Sequence, residues 1–366
     1  MKITHIQPIC ISVPLRKPMR MAGRVYEQLD TVLVRLETEG RHAGWGEASA
    51  APQLTGETVP GIVAAVGLLA DAVTGMDVRD LGRVSAAIGS ALAANPAAKA
   101  AVEVAAYDAL GRNSGLPLHA LLGGRRAHEF ECLHLLGAGD PAQDLVEARL
   151  RAEEGFVALK YKVANGDIAQ EAETLVALRR QLGNAILLGA DANGGWSRGD
   201  AARFLALARD SAADFIEQPV EPEDYEGMVQ VARASALPIG ADEAIHSIAD
   251  MRRLIESGGA RGGSLKIMKL AGLTRCLDAC RLTHALGGEI NLSGKVGETS
   301  VANAATLAIA SAWGRPGWGL SLTNGYLASD PVHRPIEVRA GRARSLDGPG
   351  LGVDIDEKQL EQLATA

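Results

Sequence analysis

Hydrophobic and polar positions follow two different patterns along the chain. From Ile3 to Val13 and from Thr31 to Leu36, apolar and polar residues alternate and many are β-branched, and Glu39-Gly40 supplies a turn before Ala43 to Glu47. Residues 1 to about 50 therefore read as a small antiparallel sheet. Between Val59 and Leu122 the chain turns alanine-rich with helical spacing. Asn95-Pro96 is a helix start ahead of Ala97 to Arg112, and Gly123-Gly124 closes the segment.

Beyond that break, short apolar runs are each followed by a helix-like stretch. The runs are Phe130 to Leu136, Val157 to Val163, Ala185 to Asp191, Phe215 to Glu217, Leu237 to Asp242, Ser264 to Lys266, Glu289 to Leu292 and Trp318 to Leu322. Strands alternating with helices predict right-handed crossovers and a parallel sheet, and eight such units have the length of a closed barrel. We divide the chain into a first domain over 1–124, a barrel over 125–328 and a segment over 329–366. The last contains Pro331, Pro335 and Gly348-Pro349-Gly350 and reads as irregular structure returning to the first domain.

With 366 residues, 47% of them hydrophobic, the chain can build a large core. Its net charge of -7 gives no basic footprint for nucleic acid. Cys10, Cys132, Cys276 and Cys280 are too few and too scattered for a disulfide framework, which fits a reducing cytoplasm. Met1 to Leu15 lacks the apolar core of a signal peptide, and Asp71 breaks the longest Ala/Val/Leu-rich stretch, so no membrane segment is expected.

Charged residues close the predicted strands, where a barrel carries its active site. Lys160 and Lys162 end the second run, Asp191 the third, Glu217 the fourth, Asp242 the fifth and Lys266 the sixth. The charges recur at intervals of one strand-helix unit, hence at one structural position. Three carboxylates on neighbouring strands supply hard oxygen ligands, the set expected for magnesium or manganese rather than zinc. Strands two and six lie half a barrel apart, so Lys162 and Lys266 should flank whatever the metal holds. Lys160 and Lys162 share a face, and two ammonium groups that close should push one lysine down toward the range of a general base. The chemistry implied is removal of the proton next to a substrate carboxylate, with metal stabilising the enediolate.

These residues resemble a known family. Gly155-Phe156 through Lys160-Tyr161-Lys162, Asp191-Ala192-Asn193, Glu217-Gln218-Pro219, Asp242-Glu243 and Leu265-Lys266-Ile267-Met268-Lys269 look like the enolase superfamily, in its muconate lactonizing enzyme subgroup. The stretch Asn95 to Glu103 and the tail Gly348 to Gly352 extend the match across nearly the whole chain. The resemblance implies an α/β fold in which an N-terminal α+β capping domain covers a modified TIM barrel, (β/α)7β. It makes Lys162 and Lys266 the acid/base pair and Asp191, Glu217 and Asp242 the magnesium ligands, and it implies a homo-oligomer acting on a small carboxylate. The mandelate racemase subgroup uses a histidine near the seventh strand; here Lys266 takes that side.

Subgroup members carry out cycloisomerisation, racemisation or epimerisation, and dehydration through one enolate. An isomerase is the primary expectation, and a lyase dehydrating a hydroxy acid or a hydroxyproline-type substrate the alternative. Asn291 to Glu298 resembles the segment carrying a pocket glutamate in cycloisomerases, although Ser293-Gly294-Lys295 departs from the apolar, methionine-containing pattern usual there. Thr323-Asn324-Gly325-Tyr326 stands where a typical dipeptide epimerase has paired aspartates. A metal-dependent hydrolase would recruit histidines, which the strand ends lack. Lys160 is expected to take part in catalysis or to tune its neighbour, Asn193 and Glu298 to line the pocket, and Lys269 to sit at its edge or outside the barrel. Arg16, Lys17, Arg20 and Arg24 fall in the loop between the first two strands, which covers the mouth in the family; Arg24 is the substrate-binding candidate. Cys276, Cys280 and His284 share one helix face and read as packing, since one straight helix cannot close a tetrahedral metal shell.

Overall fold

The computed structural model describes all residues except 22, 23, 138, 139, 315 and 366, together with the side chains of all others but 20, 21 and 24. In the N-terminal domain, β1 (Ile3–Met21) pairs antiparallel with β2 (Arg24–Thr38), which pairs antiparallel with β3 (Gly44–Ser49). The hairpin is longer than the alternation predicts. Its register shifts between Pro14 and Met19, and this irregularity absorbs extra residues of β1. Arg16 and Lys17, expected in a loop, therefore lie in a strand arm, and Arg16 Nε donates to the Leu327 carbonyl at 2.7 Å.

Three helices cover the sheet: α1 (Val59–Val73), α2 (Leu81–Ala91) and α3 (Pro96–Ser114). Alanine at most inward positions of α3 lets it lie close on the strands, and nearly the whole helix is buried. Asn95 provides no side-chain cap for α3; Glu57 does so instead, accepting from the Ala97 and Ala98 amides at 2.9 and 3.0 Å.

The barrel strands run in chain order one to eight: Leu133–Leu136, Ala158–Lys162, Leu187–Asp191, Phe215–Glu217, Ile239–Ala241, Gly262–Leu265, Glu289–Ser293 and Leu320–Ser321. All are parallel in one sheet, and a parallel bridge from Cys132 to Leu320 brings its edges together. A helix follows each of the first seven strands, and a short 3-10 turn, Asn324–Tyr326, follows the eighth. This is the expected (β/α)7β barrel with its α+β cap. One boundary differs from the sequence reading. The run Phe130 to Leu136 splits at Cys132, because Glu129–Glu131 pairs antiparallel with Arg342–Arg344 of the C-terminal segment and only Leu133–Leu136 enters the barrel. Charge explains the split, since Glu129 faces Arg342 and Arg344.

The barrel interior is layered. Leu133, Ala158, Phe215 and Trp318 form an apolar floor, with the Phe215 and Trp318 rings stacked at 4.4 Å. Gly189 is required here, because any Cβ would drive into the Phe215 ring. Above the floor lie polar side chains, and above those the charges of the mouth. The C-terminal segment returns to the capping domain. There the Leu118 amide donates to the Gly350 carbonyl at 2.7 Å and the Leu351 amide to buried Asp108 of α3 at 2.7 Å. No helix among the described residues is long and apolar enough to cross a membrane.

Candidate active site

Strand register sets the site. Lys162 pairs with Asp191, and Asp191 with Glu217, so three charged side chains leave adjacent strands at one level. Asp242 and Lys266 each come one residue after their strand ends. Lys160, Lys162, Asp191, Glu217 and Asp242 are buried, and Lys266 is partly exposed.

Their contacts alternate in sign. Lys162 Nζ donates to Asp191 Oδ2 at 2.6 Å and to Asn193 Oδ1 at 2.8 Å. Lys160 bridges Glu217 and Asp191, the latter at 3.6 Å. Lys266 Nζ lies 2.5 Å from Asp242 Oδ2. The sequence reading expected a lysine pushed down by its neighbour, and Lys160 goes the other way: burial lowers it, but the charges of Glu217 and Asp191 outweigh burial and hold it above the usual lysine range. Asp242 is likewise held well below the carboxylate range, the ammonium groups of Lys266 and Lys269 overcoming its burial.

Lys269 is the main correction. Expected at the pocket edge or outside, it is fully buried, with Nζ 2.5 Å from Asp242 Oδ1 and donating to the carbonyls of Asp242 and of Ser264, the latter at 3.2 Å. The turn after strand six explains this: the amides of Lys269 and Leu270 both donate to the Lys266 carbonyl at 3.1 Å, which folds Lys269 back beneath Lys266. Other neighbours were also missed. Ser264 Oγ donates to Glu217 and to Asn291 Oδ1, and Gln218 Oε1 accepts from the Asp242 and Ala244 amides. Asn193 and Gln218, two residues after Asp191 and one after Glu217, have φ of 45° and 37°, conformations that cluster at functional sites.

Asn193, besides accepting from Lys162, donates through its Nδ2 to Glu243 Oε1 at 2.9 Å. Glu243 is pushed up to about 7 by burial and then by the charges of Asp242 and Asp191. Glu298 lies on the Lys266 side, where burial and then the Glu47 charge push it up to about 8. The side chain of Arg24 lies outside the described residues. Cys276 and Cys280 are buried free thiols in the core, whereas His284, one turn further along the helix, is exposed and packs edge-on against Trp313.

Among the described residues, no three His, Cys, Asp or Glu side chains converge into a formed metal cage; ammonium groups stand between the carboxylates. The donor chemistry still fits a hard divalent cation. Asp191, Glu217 and Asp242 supply only oxygen from three neighbouring strands, and beside them Glu243 Oε2 is buried without a hydrogen-bond partner.

Comparison with known proteins follows the same lines. The mandelate racemase / muconate lactonizing enzyme N-terminal domain model matches residues 4–123, and the enolase C-terminal domain-like model matches 143–359. Muconate cycloisomerase 1 of Pseudomonas putida is 30% identical, the match covering 96% of this chain and 94% of that protein. N-succinyl-L-Arg/Lys racemase of Bacillus cereus is 27% identical over 99% of this chain and 98% of its own. The crystal structure of muconate lactonizing enzyme from Pseudomonas fluorescens complexed with muconolactone superposes with a TM-score of 0.95 at 25% identity, covering 100% of this chain and 99% of that one.

Proposed function

The chain belongs to the enolase superfamily, in its muconate lactonizing enzyme subgroup, and is an isomerase; from that premise we propose that it moves the proton next to a substrate carboxylate, using Lys162 and Lys266 as its acid/base pair. Asp191, Glu217 and Asp242 are the residues that would hold magnesium or manganese. Bound there, a divalent ion supplies positive charge that polarises the substrate carboxylate.

The reading rests on one observation: Lys162, Asp191 and Glu217 stand side by side in register, while Lys266 stands four strands away around the same sheet. A carbon centre held between strands two and six meets a lysine Nζ on each face, a neutral amine where the proton is accepted and an ammonium on the opposite side. Lys162 takes the proton on one face, with Asp191 and Asn193 orienting its Nζ. Lys266 returns a proton on the other face, or stays charged and stabilises the enediolate. Lys160, held as a cation by Glu217, orients the substrate carboxylate or tunes Lys162. Asn193 and Glu298 line the pocket. The first route racemises an N-acylated amino acid; the second fits cycloisomerisation of a muconate, and both share the same deprotonated state.

Purified protein with magnesium in deuterated water provides the test. Muconates, N-acylamino acids, dipeptides and proline derivatives are followed by NMR for loss of the α-proton signal and by ultraviolet absorption for muconate consumption. Metal-dependent exchange or cyclisation, abolished by EDTA, is the expected result. A panel that stays inert with and without metal would overturn the reading.

A further inference from the structure

We propose that the capping domain positions the Lys266 side of the site through two buried carboxylates, Glu103 and Glu47, which hold the first turns of the barrel helices after strands six and seven. The inference rests on the roles proposed above for Lys266 and Glu298.

The helices after strands one to five are capped from their own sequence. Side chains of Asp140, Asp167, Ser197, Asp224 and Ser247 each accept from an amide of the helix they begin. The next two helices depart from this pattern. Leu273–Ala285 starts at Gly272, which has no side chain to offer and sits at a φ of 140°. Glu103, reaching across from α3, takes the vacant role: it accepts from the Leu273 amide at 2.5 Å and from Thr274 Oγ at 3.1 Å. Its carboxylate occupies the space that a Cβ on Gly272 would need, so the glycine and the glutamate are one device.

Ser300–Trp313 is held in the same way. Thr299 caps it locally by accepting from the Val301 amide at 3.2 Å. Glu47, within β3, adds a clamp: it accepts from the Thr299 and Ala302 amides, both at 3.1 Å, and from Thr299 Oγ at 2.5 Å. Anions at helix N-termini are favoured by the helix dipole, and charge-assisted bonds are the stronger class.

Both clamps adjoin the chemistry. Between Lys266 and Gly272 the chain is one hydrogen-bonded turn, the Gly272 amide donating to the Ile267 carbonyl at 3.3 Å. Glu298 directly precedes Thr299. Glu47, Val104 and Ala100 of the cap close a cavity of about 20 Å³ against Lys266, Glu298 and Ser293, so cap and barrel share this wall directly. Glu47 and Glu103 touch no reacting atom and act as positioning residues.

Two variants separate this from a general structural role. In Glu47→Gln one amide nitrogen must replace an oxygen that accepts from Thr299 or Ala302, so a donor faces a donor. Glu103→Ala removes the other clamp, whereas Glu103→Gln keeps an acceptor for Leu273 and donates to Thr274 Oγ, and should rescue. Amide hydrogen exchange on the intact protein should accelerate roughly tenfold at Thr299 and Ala302 in the first variant and at Leu273 in the second, with strands two to four unchanged. With N-succinyl-L-arginine as probe, exchange of the α-proton by the Lys162 face should persist while inversion falls by about the same factor. Unaltered exchange at those amides, or a uniform rise across the barrel, would overturn the clamp. If wild-type protein exchanges no α-proton on any probe, the proposed reaction falls and the amide data still decide the clamp.

Discussion

On strands two to four, Lys162 sits inside its strand opposite Asp191, and Lys160, two residues earlier, points to the same face between Asp191 and Glu217. On the far side, Lys266 follows the end of strand six, and its companion Lys269 comes three residues later, in a turn. Each wall therefore backs a lysine at the mouth with a second lysine that is buried, and each pair is balanced by carboxylates. The first wall is fixed by the ladder of a parallel sheet, whose bonds lie wholly within the barrel. The second hangs from a turn whose far end is held by Glu103 of the cap. Precision on one side comes from register, and on the other from contact between domains.

The largest test of this contrast removes the two mouth lysines one at a time. Lys162→Ala and Lys266→Ala should each cut turnover by roughly 10²- to 10⁴-fold, the span expected for a lost proton-transfer group, while the circular dichroism melt keeps a cooperative transition. Substantial turnover remaining in both would end the two-lysine account. The backing lysines also act on stability. Lys160→Met and Lys269→Met each leave a buried carboxylate short of its cation, at a cost of about 3 to 5 kcal/mol in urea unfolding. Lys269→Met should lie at the upper end, since Lys269 also serves the carbonyls of Asp242 and Ser264. A smaller loss there than for Lys160→Met would reverse the ordering and break the comparison.

How far each wall could be read in the sequence follows from the same difference. Strand periodicity is two, so Lys160 and Lys162 could be put on one face, and recurring strand ends carried Asp191, Glu217, Asp242 and Lys266 to one rim. The barrel, its eight strands and its cap were legible for that reason. A turn has no such period, so the sequence points Lys269 to the pocket edge or the outside of the barrel, although it is buried beside Asp242. The capping carboxylates were illegible in principle: Glu103 and Leu273 are distant in sequence, and only Gly272, an uncapped helix start, hinted at a partner from elsewhere. The split of the first strand at Cys132 depends on Arg342 and Arg344, again a contact between distant segments.

The last test concerns pH, and it belongs to the cap-held wall alone. Glu298 faces Glu47 of β3, Lys295 of its own loop and Lys266 of strand six. Burial, and then the Glu47 charge, lift it from 4.5 to about 8. Between those values the folded protein holds a proton that the unfolded chain has released, so this group's contribution to stability is fully present below 4.5, declines as pH rises and is lost above about 8. Glu298→Gln keeps the size and the neutral state but cannot ionise. Thermal melts between roughly pH 5 and 9 should therefore show a flatter alkaline limb in the variant than in the wild type, with the two curves closest at the acid end. Parallel limbs would mean that Glu298 is already charged in the fold, and that Lys295 and Lys266 rather than burial govern this wall.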